Sequence, residues 1–314
     1  MSKTPSLVRQ VTRAFEGISH IGESRHAAKA VGTANAQIHS YASARTHRQR
    51  VITGLRRING ALPPDQRLRL LRDLRPEHVA LLRGLMVTDG LADSTIRNEL
   101  SSWRKLSHAL NAAGWHGIKP DELVPAGLYA GLRQSTPRGG YSSDQAAAII
   151  VHIARTHPRG DELGRMARLI QATGLRHQEV ARLREVDLDR VAGNVNVRSA
   201  NAKGGRERLV TLEPDSPCRS ALRSALDAIP EGRNWLWLDG PALARQLQDA
   251  IRNACADLNI EPRGLHGLRG LFAETYLRER MAVGLDENTA RDELTLLLGH
   301  GRRAVTLRYC GRLS

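Results

Sequence analysis

The sequence predicts a mainly α-helical protein with a small antiparallel β-sheet in its C-terminal part. Three observations support this fold class. Apolar residues recur at helical spacing through residues 41–130. The segment QSTPRGGY at 134–141 is rich in Pro, Gly, Ser and Thr, which is typical of a linker. Beyond it, helical patterns flank two β-like runs, NVNVRSA and RERLVTL, and the glycine-containing NAKGG between them indicates a hairpin.

The chain is therefore predicted to consist of two helical parts joined by a linker. A polar, Ala-rich helical arm is expected at 1–40, a helical domain at 41–133, the linker at 134–141 and a second domain at 142–314. A length of 314 residues agrees with two domains. The hydrophobic fraction of 41% is sufficient for real cores.

Local signals predict several helix ends. Asp93 and Ser94 are N-cap candidates for the helix STIRNELSSWRKLSHALNAAG. Ser142 or Ser143 is expected to cap DQAAAIIVHIARTH. Gly174 is expected at the C-cap of ELGRMARLIQATG, because glycine readily adopts the left-handed conformation found there.

The charge of the chain indicates a polyanionic partner. The formal net charge is +15, which favours nucleic acid over the alternative of a merely basic, ribosomal-type protein. Residues 1–135 carry 20 Lys and Arg against 10 Asp and Glu, and residues 136–314 carry 27 against 22. Arg97, Arg104 and Lys105 lie opposite an apolar helix stripe, where they either contact phosphates or form a solvated face.

Cysteine usage and hydropathy predict a cytoplasmic protein without a membrane partner. The three cysteines, Cys218, Cys255 and Cys310, are odd in number and lack metal-ligand spacing, so we expect a reducing compartment. The N-terminal MSKTPSLVRQ has no apolar core of a signal peptide. No apolar run is long enough to span a bilayer.

Two stretches of the second domain combine side chains that can bind a phosphate. Arg176 follows the predicted cap Gly174, and Glu179 is near enough in sequence to orient its guanidinium. His266 and Arg269 are three residues apart in HGLRG and therefore share one helix face. Taken singly, each has the plainer interpretation of an ordinary surface residue.

Three further residues complete a set that could transfer a phosphodiester without a metal. Lys203 is the last of only five lysines. Unlike arginine, it can give up a proton once its pKa is lowered, although it could also be an exposed turn residue. His300 lies in LLLGHG, and Tyr309 follows nine residues later. A tyrosine hydroxyl becomes a good nucleophile only beside cationic groups or a base.

The series TGLRHQEV, Lys203 in a hairpin, HGLR, LLGH and LRY resembles the catalytic domain of tyrosine recombinases of the phage-integrase type, over roughly residues 140–314. The helical region 41–130 is similar, by its pattern, to the core-binding domain of that family. The resemblance implies a role for each matching residue. Tyr309 attacks the scissile phosphate to form a 3′-phosphotyrosyl link, Arg176 and Arg269 clamp the phosphate, Lys203 protonates the leaving 5′ oxygen, His266 is the general acid/base, His300 hydrogen-bonds the phosphate and Glu179 supports Arg176.

The resemblance also implies the partners. These are double-stranded DNA with inverted-repeat core sites and, in the synaptic complex, a homotetramer of a chain that is monomeric when free, with accessory proteins possible. No metal or other cofactor is implied, and the expected setting is the nucleoid of a bacterium carrying a mobile element. A type IB topoisomerase, a telomere resolvase and a catalytically silent DNA-binding protein are the alternatives.

Three features depart from the pattern of that family. Gly270 follows HGLR where the family more often has His or Arg. The polar stretch Asp286–Glu293 lengthens the interval before His300 and predicts an inserted turn or an extended helix. Only CGRLS follows Tyr309. We therefore expect protomers to contact each other through another element, such as the N-terminal arm, or the tetramer to be held differently.

Overall fold

The structure is a computed structural model. It describes residues 5–23, 25–115, 117–133, 139–202, 207–214, 216–232 and 234–300, without the side chains of residues 25 and 26. The chain divides into two units, Met1–Ser135 and Thr136–Ser314, and each has its own hydrophobic core. The predicted fold class is confirmed, because the described residues are mostly helical with a small antiparallel sheet.

The first unit is built from helices around the buried indole of Trp103. Its helices are α1 (Leu7–Glu16), α2 (Arg25–Ala30), α3 (Tyr41–Ala61), α4 (Pro76–Thr88), α5 (Asp93–Ala112) and α6 (Pro120–Leu123). Trp103 on α5 is fully buried, and its indole donates to the Glu99 carboxylate over 3.1 Å. A Cβ at Gly54 of α3 would lie 2.7 Å from the Trp103 ring. The absence of a side chain at Gly54 therefore allows α3 and α5 to pack closely.

The N-terminal segment is part of this first core. The sequence predicts a separate arm over 1–40, whereas α1 packs against α3 and α5 and buries Val11 and Phe15. The Gln10 side chain accepts a hydrogen bond from the Leu71 backbone N–H and donates one to the Arg69 carbonyl, both over 2.9 Å. The apolar stripe of α1 and these polar contacts are the physical reason for the difference.

The predicted N-cap of α5 is wrong by one or two positions. Ala92 occupies the cap, and Asp93 is already the first helical residue. The Asp93 carboxylate instead accepts a hydrogen bond from the Arg133 backbone N–H over 2.9 Å. A tertiary contact thus takes the side chain that the local pattern assigns to capping.

The second unit surrounds α8 with other helices and carries the sheet at one side. Its helices are α7 (Ser143–Thr156), α8 (Gly160–Thr173), α9 (His177–Val180), α10 (Pro217–Asp227), α11 (Gly240–Asp257), α12 (Gly264–Ala282) and α13 (Glu287–Leu297). Helices α7, α10 and α12 pack directly on α8. The strands are β1 (Leu188–Asp189), β2 (Asn194–Val197) and β3 (Arg208–Val210), antiparallel in the order β1-β2-β3. The predicted hairpin is confirmed by the pairing of Val195 with Val210.

Two capping predictions for the second unit are also confirmed. Ser142 caps α7, where its hydroxyl accepts from the Gln145 backbone N–H over 3.1 Å. Gly174 terminates α8 with a φ of 62°, in the left-handed region. The polar stretch before His300 begins a separate helix, α13, and the Asp286 carboxylate caps it by accepting from the Asn288 backbone N–H.

The end of the predicted linker lies in the second core and explains the glycine at position 270. Tyr141 is fully buried, and its backbone N–H donates to the Gly267 carbonyl over 3.1 Å. A Cβ at Gly270 would lie 2.7 Å from the Cα of Gly140. A larger residue at position 270 would therefore push α12 away from the start of the second unit.

Two of the three cysteines lie within the residues that the structure describes. Cys218 and Cys255 are buried free thiols, and Cys310 lies outside the described residues. No helix in the described parts of the chain is both long and apolar enough to cross a membrane.

Candidate active site

Two left-handed glycines bring the main chain of the site together. Gly174 ends α8, and Gly299, also with a φ of 62°, follows α13. Beyond Gly299 the chain folds back on its helix, so that the His300 N–H donates to the Thr295 carbonyl over 2.9 Å. These two turns place the segments carrying Arg176 and His300 beside each other.

Arg269 ties both helix ends to α12. Its side chain is almost fully buried. Nη1 donates to the Gly174 carbonyl and Nη2 to the Leu298 carbonyl, both over 2.6 Å. Nη2 also lies 2.9 Å from His300 Nε2. A guanidinium is favourable here, because the carbonyl oxygens at a helix C-terminus carry partial negative charge.

His300 is held as a neutral imidazole. An arginine only donates, so His300 Nε2 must accept from Arg269, and the neutral ring then carries its proton on Nδ1. The pKa of His300 is lowered to about 3, first by burial and then by the charges of Arg269, Arg176 and Arg208. A neutral imidazole protonated on Nδ1 is suited to donate a hydrogen bond to an anion.

Glu179 accepts two hydrogen bonds from Arg176. The Glu179 side chain is almost fully buried, and its Oε1 accepts from Arg176 Nη1 over 2.8 Å. Its Oε2 accepts from the Arg176 backbone N–H, also over 2.8 Å. Arg176 Nη2 donates to the Gly299 carbonyl over 3.2 Å, and the side chain is 18% exposed. The guanidinium is therefore fixed on two sides while part of it faces the solvent.

Arg208 is a member of the site that the sequence analysis did not identify. Its Nη2 lies 2.7 Å from Glu179 Oε2 and its Nε donates to the Leu297 carbonyl over 2.7 Å. The sequence feature that points to Arg208 is the alternation of strand side chains between two faces in RERLVTL. Because Val210 is buried and Leu209 is exposed, Arg208 must lie on the buried face of β3. A buried guanidinium needs a carboxylate or carbonyl partner, and Glu179 supplies it.

The charges around His300 are unbalanced in favour of anion binding. The groups whose charges act on the pKa of His300 are three guanidiniums and one carboxylate. They belong to Arg269, Arg176, Arg208 and Glu179. The described part of this site is thus cationic. Arg176, which is partly exposed, can bind a phosphate through paired N–H groups.

Of the three remaining residues predicted for the site, the structure describes one. His266 is exposed in the first turn of α12, three residues before the buried Arg269. Lys203 and Tyr309 lie outside the described residues. In the described parts of the chain, no His, Cys, Asp and Glu residues form a group that could hold a metal ion.

The three basic residues predicted on α5 all have partners within the first unit. Arg97 donates to the carbonyls of Leu132 and Arg133. Arg104 pairs with Asp121, and Lys105 donates to the Asn35 and Gln37 carbonyls. Each is only half-exposed. Their side chains stabilise this unit, whatever else they contact.

We expect Gly299→Ala to destabilise the protein more than Gly90→Ala. Both glycines follow a helix C-cap, with φ values of 62° and 68°, so alanine at either position costs about 1 kcal/mol or more of unfolding free energy. A Cβ at Gly299 would also lie 2.7 Å from Arg208 Nη1, whereas a Cβ at Gly90 meets nothing within 4 Å. Overpacking adds roughly 1–3 kcal/mol. Equal losses in denaturant unfolding would show that Arg208 moves aside without cost.

This chain is similar to known proteins in its family model and in its fold. The model of the phage integrase family matches residues 142–311, more than half of the chain. Among solved structures, a lambda integrase dimer bound to a COC′ core site has 17% identity and a TM-score of 0.65, over 88% of this chain and 91% of that chain. A lambda integrase tetramer bound to a Holliday junction has 16% identity and a TM-score of 0.63, over 100% and 84%.

A third similar structure comes from a transposon. The Tn1549 transposon integrase in complex with circular intermediate DNA has 15% identity and a TM-score of 0.60, over 97% of this chain and 96% of that chain. At such identities the likeness shows the fold alone. No match is found among curated proteins.

Proposed function

Since this chain belongs to the phage integrase family, we propose that it is a site-specific DNA recombinase of a mobile element. It would cleave and rejoin DNA through a 3′-phosphotyrosyl intermediate. The observation that carries the proposal is the cationic arrangement of Arg176, Arg208 and Arg269 around a neutral His300, with Glu179 as the carboxylate among them. Such a site suits a phosphodiester and the additional negative charge of its pentavalent transition state.

The described residues have distinct roles in this proposal. Arg176, held by Glu179 and partly exposed, binds non-bridging phosphate oxygens. Arg269 adds positive charge to the same site and holds His300 by their 2.9 Å hydrogen bond. His300 donates a hydrogen bond to the phosphate. His266, exposed on the same helix as Arg269, acts as a general acid/base.

The chemistry proposed for Tyr309 and Lys203 balances without a cofactor. The Tyr309 hydroxyl gives its proton to the general base His266 as its oxygen attacks phosphorus, the bond to the 5′ oxygen breaks, and Lys203 gives that oxygen a proton. A 5′-hydroxyl of the partner strand then returns a proton to Lys203 as it attacks the phosphotyrosine, and the released Tyr309 oxygen takes its proton back from His266. Each step exchanges one phosphodiester for another, so no energy source is consumed.

We propose double-stranded DNA with inverted-repeat core sites as the partner and a homotetramer as the synaptic complex. The net charge of +15 supports a polyanion, and the lambda integrase with a similar fold is a tetramer on its Holliday junction. Residues 41–133 are proposed as the core-binding region. Arg97, Arg104 and Lys105 are candidates for its phosphate contacts, made alongside their internal bonds. The proposed setting is the bacterial cytoplasm.

The test begins with the DNA that the purified full-length chain protects from a random duplex library. Protected sequences are rebuilt as nicked suicide substrates, as paired duplexes and in supercoiled plasmids. We expect a covalent 3′ protein–DNA adduct and recombinant products from paired duplexes. Relaxation of the plasmid without recombinants would instead indicate a topoisomerase. Tight binding without any adduct would indicate a silent DNA-binding protein, and either result contradicts the proposal.

A further inference from the structure

Arg208 joins three separate parts of the candidate active site. It begins β3, it pairs with Glu179 of α9, and it binds the last residue of α13. We propose that Arg208 is a positioning residue for strand cleavage, which acts through Glu179 on Arg176 and through the end of α13 on His300. This role rests on the function proposed above.

The bonding of Arg208 is that of a support and not of a DNA ligand. All three guanidinium nitrogens donate to protein acceptors. Nη1 and Nη2 face the two Glu179 oxygens at 3.2 and 2.7 Å, and Nε faces the Leu297 carbonyl at 2.7 Å. The side chain is only 8% exposed, against 18% for Arg176. Arg176 is thus the more accessible of the two guanidiniums that share Glu179.

Arg208 also keeps Glu179 in its charged form. Burial raises the pKa of Glu179, but the hydrogen bonds and charge of Arg208, followed by those of Arg176, reverse this effect and leave the pKa below its usual value. Arg208 therefore has a larger effect than Arg176 itself. Without Arg208, burial would favour protonation, and a neutral carboxyl orients the Arg176 guanidinium less well.

The charged and titratable groups that act on Glu179 come from several elements. Arg176 and His177 precede it by three and two residues, Arg208 comes from β3, and His300 follows α13. Burial lowers the pKa values of both histidines, which keeps them neutral near pH 7. Among these groups, Arg176 and Arg208 therefore supply the positive charge that opposes protonation of Glu179.

Two arginines secure adjacent carbonyls at the end of α13. Arg208 binds the Leu297 carbonyl and Arg269 the Leu298 carbonyl. His300 follows directly after Gly299, so its ring position depends on both contacts. Loss of the Arg208 contact would free one side of this helix end. A displacement of about 1 Å in a catalytic group can cost on the order of 10²-fold in rate.

The second unit offers a matched control in Arg190. It also pairs with a carboxylate through two nitrogens, Nε and Nη2 to Glu185 at 2.8 and 3.2 Å. Its Nη1 donates to a main-chain carbonyl, that of Leu226, at 2.5 Å. None of these partners contacts Glu179 or His300 through a described hydrogen bond. Arg190→Met therefore removes the same kinds of contact outside the site.

The experiment compares Arg208→Met, Arg208→Lys and Arg190→Met as full-length proteins on the nicked suicide substrate. We expect Arg208→Met to form adduct roughly 10²-fold more slowly, with DNA affinity close to that of the unsubstituted protein. Arg208→Lys, which keeps the charge but not the paired contact, should be intermediate. Arg190→Met should cleave at the normal rate per folded molecule.

A pH profile separates positioning from mere folding. A depressed pKa keeps Glu179 charged until the pH falls through that low value, so the acid limb of cleavage lies at low pH in the unsubstituted protein. In Arg208→Met the pKa of Glu179 rises, and the acid limb should move to higher pH. In an Arg208→Met, Glu179→Gln double variant the two rate losses should not add.

Failure of this inference is distinguishable from failure of the proposed function. If the unsubstituted protein forms no adduct on its protected DNA, the recombinase function is wrong. If it forms adduct, and Arg208→Met matches Arg190→Met in both rate and acid limb, Arg208 has no positioning role. Rate losses that add independently in the double variant would likewise overturn the action through Glu179.

Discussion

Tyr309→Phe is expected to abolish the covalent protein–DNA adduct while DNA binding is retained. The substitution removes only the phenolic oxygen, which is the atom proposed to bond to phosphorus. Tyr309 lies within the residues matched by the family model. Since water or another side chain would have to replace a positioned nucleophile, we expect adduct formation to fall by about 10⁴-fold or more.

The measurement is adduct yield on the nicked suicide substrate, where release of the short 5′ strand prevents resealing. Tyr276→Phe is the matched control. Tyr276 is a largely buried residue of α12 whose hydroxyl donates to the Glu293 carboxylate over 3.1 Å. Loss of that hydroxyl should affect stability modestly and leave cleavage intact. An adduct of normal yield in Tyr309→Phe would remove Tyr309 as the nucleophile.

The fold could be predicted where local signals and tertiary packing agree. Helical patterns on both sides of the two β-like runs predicted the mixed composition of the second unit, and the glycine-containing NAKGG between those runs predicted the β2–β3 hairpin. Prediction was poorer where a long-range contact decided the outcome. The Asp93 carboxylate binds the Arg133 main chain and leaves the cap to Ala92. The apolar side of α1 is buried by α3 and α5, which a view of residues 1–40 alone does not reveal.

The site could be predicted as a set of residue types but not as a set of contacts. The motif around Arg176 also contains its partner, Glu179, so that interaction was visible in the sequence. Arg269 and Gly174 are 95 positions apart, and the hydrogen bond between them exists only in the folded chain. The sequence does not single out Arg208, because the chain holds many arginines and the resemblance assigns this one no role. Its burial on β3 is what distinguishes it.

Replacement of Arg269 should affect both catalysis and stability. We expect Arg269→Met to slow adduct formation by about 10²–10³-fold, the usual effect of removing one donor or charge aimed at a developing oxyanion. The same change leaves the Gly174 carbonyl, the Leu298 carbonyl and His300 Nε2 without their donor. Each buried acceptor that stays unsatisfied costs about 1–3 kcal/mol. Arg269→Lys, which keeps a charge but not the planar fork, should recover part of both losses.

A substitution of Arg219 separates the effect on catalysis from the effect on stability, because Arg219 is also a buried arginine that donates to main-chain carbonyls. It is 8% exposed, and its Nη1 and Nη2 donate to the carbonyls of Leu212 and Ala192. Arg219→Met should therefore lower the unfolding free energy, as Arg269→Met does, and leave the cleavage rate per folded molecule unchanged. Rates are compared at a temperature where thermal unfolding shows each variant to be folded. If Arg269→Met then cleaved as fast as Arg219→Met, Arg269 would stabilise the helix ends of α8 and α13 without stabilising the transition state.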